Sequence, residues 1–252
     1  DVIIIVFMIL ASMHFGVIYA MLAKKFLAPV RNSVTRYYLN VILVLSLFIT
    51  FVLMLQGGYS SFGKALLDSV FQVVSFISTT GFGNADNALW PVLANVFLLL
   101  AAFHCGCSGS TTGGVKADRM LIIFKEIGNE FRRRLHPSSV FCTKVDGHTV
   151  SNAQISAVFL YFVAYVFILF MSFMAVLMSG VEISDAFSGT LASLGNVGPG
   201  LGSLGTMGNY ASQPVFAKIV YTALMFLGRL EIFPVLAVLH LISDFRKNSS
   251  GR

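Results

Sequence analysis

The sequence predicts an all-α polytopic membrane fold assembled from repeated units: a crossing helix, a short re-entrant helix ending in a glycine turn, and a returning helix. Three observations predict it. Charge-poor apolar runs reach membrane length, basic residues keep to alternate polar regions, and the short-helix-and-turn pattern occurs twice at one spacing. Of the 252 residues, 56% are apolar and only 11% charged, where a soluble domain carries about 25% charged residues. The apolar residues lie in runs at 2–23, 37–55, 91–105, 153–178 and 215–227. Several of these reach or approach the roughly 20 residues that a helix needs to cross about 30 Å of hydrocarbon.

The first run, Val2–Ala23, is expected to cross inward and end at Lys24-Lys25. It opens on Asp1 and is too long for a signal peptide. With no initiator Met before it, the chain is expected to be part of a longer protein. The second run, Tyr37–Leu55, then crosses outward to Gln56-Gly57-Gly58. The charges set these directions. Lys24, Lys25, Arg31 and Arg36 follow the first run, Lys125, Arg132, Arg133, Arg134 and Lys144 fill the central polar stretch, and Arg246, Lys247 and Arg252 lie at the end. The polar regions between them hold only Lys64 and Lys218. That asymmetry marks the basic regions as cytoplasmic, so the net charge of +6 reads as topology and not as a nucleic-acid surface.

Lys64–Ser78 is too short and too polar to cross, and it stops at Thr79-Thr80-Gly81-Phe82-Gly83. If it crossed, Arg132–Arg134 would fall outside, against the charge rule. A hairpin entering and leaving on the outer face resolves this, and irregular backbone at such depth must be buried in protein or line a watery path. The pattern recurs. Asp68, Gly81 and Gly83 are matched 117 residues later by Asp185, Gly198 and Gly200, and each copy is followed by a helix opening at a proline, Pro91 or Pro214. One recurring spacing outweighs a lone Gly-x-Gly.

Thr79–Gly83 and Asn196-Val197-Gly198-Pro199-Gly200 suit the dehydration of a cation. Backbone carbonyls can replace a hydration shell without holding the ion too tightly, and glycine supplies the unusual angles that aim them. The short helices present their partly negative C-terminal ends to the turns. Asp68 and Asp185 are expected to begin these helices, either as caps or as cation attractors at the mouth.

Pro91 to Phe124 would be about 51 Å long as one helix, so an interruption is expected. Gly106, Gly109, Gly113 and Gly114, with Ser108, Ser110, Thr111 and Thr112 between them, supply it. A packing kink is the competing reading. Val115 stands where a phosphate-binding loop needs its lysine. Arg229 lies mid-way along the predicted Pro214–Asp244 helix. A central arginine costs about 2.5–3.5 kcal/mol on insertion scales, so it must face protein or water. Glu231 is a poor partner, because residues two apart on a helix do not share a face.

Ser78–Gly83, Gly106–Lys116 and Leu227–Phe233 together resemble the Trk/Ktr/HKT superfamily of potassium transporters, nearest the bacterial TrkH-type pore subunits. The resemblance covers essentially the whole chain. It implies four such repeats around a central pore, of which residues 37–124 and 151–252 are the third and fourth. Residues 1–36 then hold the last helix of the preceding repeat, and residues 125–150 form a cytoplasmic linker. It also implies potassium uptake without covalent chemistry, potassium bound at the two turns, and a gate formed by residues 106–114 beside Arg229. Glycine at Gly81 and Gly198 goes with potassium over sodium in that family. The implied partners are the two remaining filter repeats, a second copy in a homodimer and a cytosolic nucleotide-binding regulatory subunit. The basic Arg132, Arg133 and Arg134 surface either satisfies topology alone or touches anionic membrane lipid. The implied location is the bacterial inner membrane.

The alternative is an ion-coupled secondary transporter built on broken helices. It needs inverted repeats, whereas these two run in the same orientation. An enzyme is disfavoured: His14, His104, His136, His148 and His240 are dispersed, and no HExxH or Ser/His pairing occurs. Cys105, Cys107 and Cys142 give no disulfide framework, and their spacing with His104 fits no standard zinc pattern.

Overall fold

A computed structural model describes residues 1–24, 27–56, 58–136 and 139–230. Glu231, the last three residues of the Leu227–Phe233 motif and the C-terminal basic residues lie outside the described residues. The fold is helical: α1 (Val2–Ser12), α2 (Phe15–Leu22), α3 (Ala28–Arg31), α4 (Ser33–Gln56), α5 (Phe62–Ile77), α6 (Val92–His104), α7 (Ala117–Leu135), α8 (Asn152–Leu177), α9 (Ile183–Gly195) and α10 (Val215–Leu230). Between α7 and α8 a two-stranded antiparallel hairpin pairs Lys144–Val145 (β1) with His148–Thr149 (β2).

The arrangement inverts that of a soluble protein. Helices α4 and α8 are long and apolar enough to cross a membrane. They expose large apolar residues such as Phe48, Phe51, Val163 and Phe167, because lipid and not water is their solvent. The short helices α5 and α9 are packed at the centre. Ser69, Gln72, Ser75, Ser188 and Thr190 are fully buried, so their polar groups face protein. Each short helix lies against its flanking crossers, α5 against α4 and α6, and α9 against α8 and α10.

The stretch 2–23 is not one continuous helix: α1 and α2 meet at a bend of 112°. Ser12 Oγ turns back onto the Met8 and Ile9 carbonyls at 2.8 and 2.9 Å, an arrangement that bends helices. Met13 is then extended, and the His14 ring caps α2 by accepting from Gly16 N at 2.9 Å.

The hairpin is the one departure from an all-helical chain among the described residues. Its turn is Asp146-Gly147, with φ of 51° and 82°, the left-handed pair that a two-residue hairpin favours. Asp146 also accepts from Asn32 Nδ2 at 2.7 Å and from Ser33 N and Oγ at the start of α4. The connection before α4 and the linker between α7 and α8 are thereby tied together.

Candidate functional site

The two glycine turns have the same backbone. Thr79 and Asn196 have φ of 54° and 55°, and Gly81 and Gly198 have φ of 76° and 105°. Thr79 N and Asn196 N donate to the carbonyls of Phe76 and Ser193, both at 3.2 Å. Thr80 N and Val197 N donate to those of Ser75 and Ala192 at 3.0 and 2.8 Å. In each turn a residue of ordinary hand separates two of positive φ, an alternation that brings successive carbonyls toward one side. A left-handed conformation is a genuine outlier for β-branched Thr79, and such strain gathers at functional sites.

The turns also meet. A Cβ on Gly81 would fall on the Val197 carbonyl oxygen and within 3.1 Å of the Pro199 ring, whereas Gly198 has open space where its Cβ would be. Not every carbonyl is left available. Ser75 Oγ donates to Phe82 O at 2.6 Å, Tyr210 OH to Gly198 O at 2.9 Å, and Asn87 Nδ2 to Gly200 O at 3.2 Å. Among the described residues the carbonyls of Thr79, Thr80, Gly81, Asn196 and Val197 accept no hydrogen bond.

Asp185 lies in the first turn of α9, as expected, whereas Asp68 lies deeper in α5, and neither is the N-cap. The N-cap residues are Ser61 and Glu182, and Asp68 sits in the second turn of α5. Both carboxylates are buried and hold the strand returning from the turn. Asp68 accepts from Asn84 Nδ2 at 2.9 Å and from Tyr59 OH at 3.0 Å, and Asp185 accepts from Ser203 Oγ. A carboxylate facing donors on a second segment clamps that segment more firmly than a cap would, since bonds to charged groups are the strong ones.

The expected interruption is present. Helix α6 stops at His104, α7 starts at Ala117, and Cys105 and Lys116 bound the unwound stretch with φ of 56° and 75°. This stretch docks on the break between α1 and α2: Cys107 N donates to Ser12 O at 2.9 Å, and Phe15 N donates to Gly109 O at 3.2 Å. Two helix interruptions thus satisfy each other's orphaned backbone groups. On its other side Gly113 packs on the end of α9, where a Cβ would lie 2.5 Å from Gly195 O and 3.3 Å from Asn196 Cβ. The unwound stretch therefore lies directly against the residue that opens the second turn.

Arg229 reaches the same stretch from α10, donating from Nη1 to Thr111 O at 2.6 Å. Its neighbour Gly228 lets α10 approach, because a Cβ there would fall on the Leu194 carbonyl oxygen. Within the stretch, Ser110 Oγ donates to Cys107 O at 2.6 Å and lies 2.8 Å from Thr112 Oγ1, while Ser108 N donates to Asp118 at 2.8 Å. His104 is held at both ring nitrogens, Nδ1 by Cys105 O at 2.9 Å and Nε2 by Tyr37 OH at 3.0 Å.

The profile of the TrkH family, described as a cation transport protein, matches residues 1–248. The chain belongs to the TrkH family. The Trk system potassium uptake protein TrkH of Salmonella typhimurium is 35% identical over 239 residues, covering 94% of this chain and 49% of that protein. TrkG of Escherichia coli strain K12, also a Trk system potassium uptake protein, is 31% identical over 233 residues, covering 91% and 47%. The crystal structure of the potassium transporter TrkH from Vibrio parahaemolyticus superposes with a TM-score of 0.85 at 30% identity, covering 93% of this chain and 50% of that one. The chain thus spans about half the length of the TrkH relatives it matches. It is a multi-pass membrane chain of that family.

Sequence reading missed three site residues. Asn87 and Thr206 latch one return strand to the other, with Thr206 N donating to Asn87 Oδ1 at 2.9 Å and Thr206 Oγ1 to Ala85 O at 2.7 Å. Ser12 supplies the carbonyl that receives the unwound stretch. A single Asn, Thr or Ser carries no spacing, so only its partner reveals its role.

Proposed function

We propose that this chain forms one half of a potassium-uptake pore in the bacterial inner membrane, with the turns at 79–83 and 196–200 contributing two of four filter segments. The observation that carries the reading is the pair of matched turns whose Thr79, Thr80, Gly81, Asn196 and Val197 carbonyls lack donors. Of these residues only Val197 is buried; the others are partly exposed, so their carbonyls are open to an ion approaching the turns. A run left unpaired at the negative ends of α5 and α9 suits a partly dehydrated monovalent cation. The carbonyls of Phe82, Gly198 and Gly200 already carry donors and serve to hold the turn.

The stretch at residues 106–114 and Arg229 form the barrier beneath the turns. Arg229 opposes cations there by its charge, and its bond to Thr111 O fixes the stretch across the path. The relatives' names carry potassium as the cargo, and Gly81 and Gly198 fit it. The remaining two filter repeats come from the rest of the subunit or from a separate chain. The assembly is a homodimer that docks a cytosolic nucleotide-binding regulatory subunit.

Reconstitution of the full-length protein in liposomes tests the reading. Potassium and rubidium should permeate well ahead of sodium. Equal sodium and potassium fluxes, or flux requiring an organic co-substrate, would overturn it and favour a secondary transporter.

A further inference from the structure

Two cavities of different character meet at one residue on the outer side of α4, α6 and α7. The first is an apolar groove of about 420 Å³ walled by Val41, Val44, Leu100, Met120 and Phe124, with Tyr37 at its base. The second, of about 400 Å³, lies between α7 and the hairpin and is lined by Lys125, Asn129, Arg132 and Lys144. Phe124 lines both and is half exposed.

The groove opens where α4 exposes Val44, Leu47, Phe48 and Phe51, the surface expected to face acyl chains. The polar cavity belongs to the cytoplasmic linker, and exposed Arg36 lies one helical turn before groove residue Asn40. The glutamates of α7 are paired with arginines, although Glu126 also accepts from Thr143, which lines the polar cavity. Glu126 and Glu130 pair with Arg133 at 2.8 and 3.3 Å, and Glu130 also with Arg134 at 3.4 Å. Among the described residues Arg36, Arg132 and Lys144 have no ion-pair partner.

We propose that this composite cavity binds one anionic glycerophospholipid of the inner leaflet, with an acyl chain in the groove and the phosphate headgroup on Arg132 and Lys144. Basic pockets beside membrane helices on the cytoplasmic side take anionic headgroups. A free phosphate would use only the polar half of the cavity, and a neutral lipid chiefly the apolar half. The position gives the lipid a consequence. Tyr37 bonds His104, the last residue of α6, while Met120 and Phe124 lie in the first turns of α7. A bound chain therefore braces both ends of the unwound stretch.

The test uses full-length protein, delipidated in detergent and titrated with phosphatidylglycerol or with phosphatidylcholine of the same chains, read by native mass spectrometry. One phosphatidylglycerol per protomer should bind about thirtyfold more tightly than phosphatidylcholine, since each cation near an anionic lipid contributes about fivefold. The double variant R132Q/K144Q, confined to exposed positions, should abolish that preference and leave phosphatidylcholine binding unchanged. Val44→Trp should weaken both lipids about tenfold, the cost of displacing about two methylenes. Glycerol phosphate should leave bound phosphatidylglycerol in place. Equal affinity for the two lipids, wild-type binding by R132Q/K144Q, or displacement by glycerol phosphate would overturn the proposal. So would a changed oligomeric mass on Val44→Trp, which would mean that a protein chain covers this face.

Discussion

Gly81 and Gly198 are equivalent in sequence and backbone hand, yet their surroundings differ, and so should their variants. Both have positive φ, 76° and 105°, so any side chain there carries strain of about 1–3 kcal/mol. At Gly81 a methyl group would also strike the Val197 carbonyl, whereas at Gly198 it would meet open space. Gly81→Ala is therefore expected to lower both the yield of assembled protein and the potassium-over-sodium flux ratio. Gly198→Ala should lower the ratio alone. Size-exclusion profiles beside liposome flux separate the two effects, and identical behaviour of the variants would contradict the asymmetry. Arg229 invites the opposite experiment, a gain. Its bond to Thr111 O is short and charged, and such bonds contribute about 1.5–3 kcal/mol. Arg229→Ala should release the unwound stretch and raise potassium flux about tenfold or more. Flux no higher than wild type, in protein that still assembles, refutes the barrier role.

At the scale of elements, what the sequence revealed depended on whether a feature was periodic or depended on a distant partner. The crossing helices α4 and α8 were legible because length and charge deficit are local sums. The interruption after His104 was legible because no single crossing accommodates 91–124 and four glycines crowd one stretch. The break at Met13 was not, since Val2–Ala23 is apolar throughout and the bend depends on Ser12, His14 and the unwound stretch that meets them. The hairpin's local signal is Asp146-Gly147 alone, a two-residue turn within a charge-rich linker. That hairpin supports a pH prediction. Glu126 accepts from Thr143 Oγ1 and pairs with Arg133 at 2.8 Å; the Thr143 hydrogen bond first, then Arg133, holds its carboxyl below the ordinary glutamate value. A depressed folded value means the anchoring is complete above the unfolded glutamate pKa of about 4.3 and is lost as pH falls through the lower folded value. An environment-sensitive fluorophore on exposed Cys142 should report a transition in that acid range. Glu126→Gln should leave the signal flat, and an unchanged transition in the variant would exclude Glu126 as its source.

The molecule as a whole depends on how its two repeats are joined, and one buried side chain at that junction, Asn87, holds both the opposite return segment and the second turn. Each turn is braced by its own short helix through Asp68 or Asp185, a relation visible in the repeat although the bracing was first read as capping. Nothing in the repeat announces Asn87, since the corresponding position 117 residues later is Leu204. A feature that breaks the internal symmetry is invisible to a search for symmetry. Asn87 is fully buried. Its Oδ1 accepts from Thr206 N at 2.9 Å, and its Nδ2 donates to Gly200 O at 3.2 Å. Asn87→Ala would leave that amide and that carbonyl without partners, each costing about 1–3 kcal/mol. The carbonyl belongs to the second turn itself, so the loss should reach the ion path as well as the fold. The expected outcome is a lower thermal midpoint in detergent together with a reduced potassium-over-sodium flux ratio. Thr206→Val is the matched control. It removes the hydroxyl's bonds to Ala85 O and to Asn87 N but keeps the backbone N–H on Asn87 Oδ1. Ala85 O still accepts from Gln72, so the variant should cost less stability and leave the ratio near wild type. If the two variants lose equal stability and both keep their selectivity, Asn87 merely fills space and the turns hold their geometry without it.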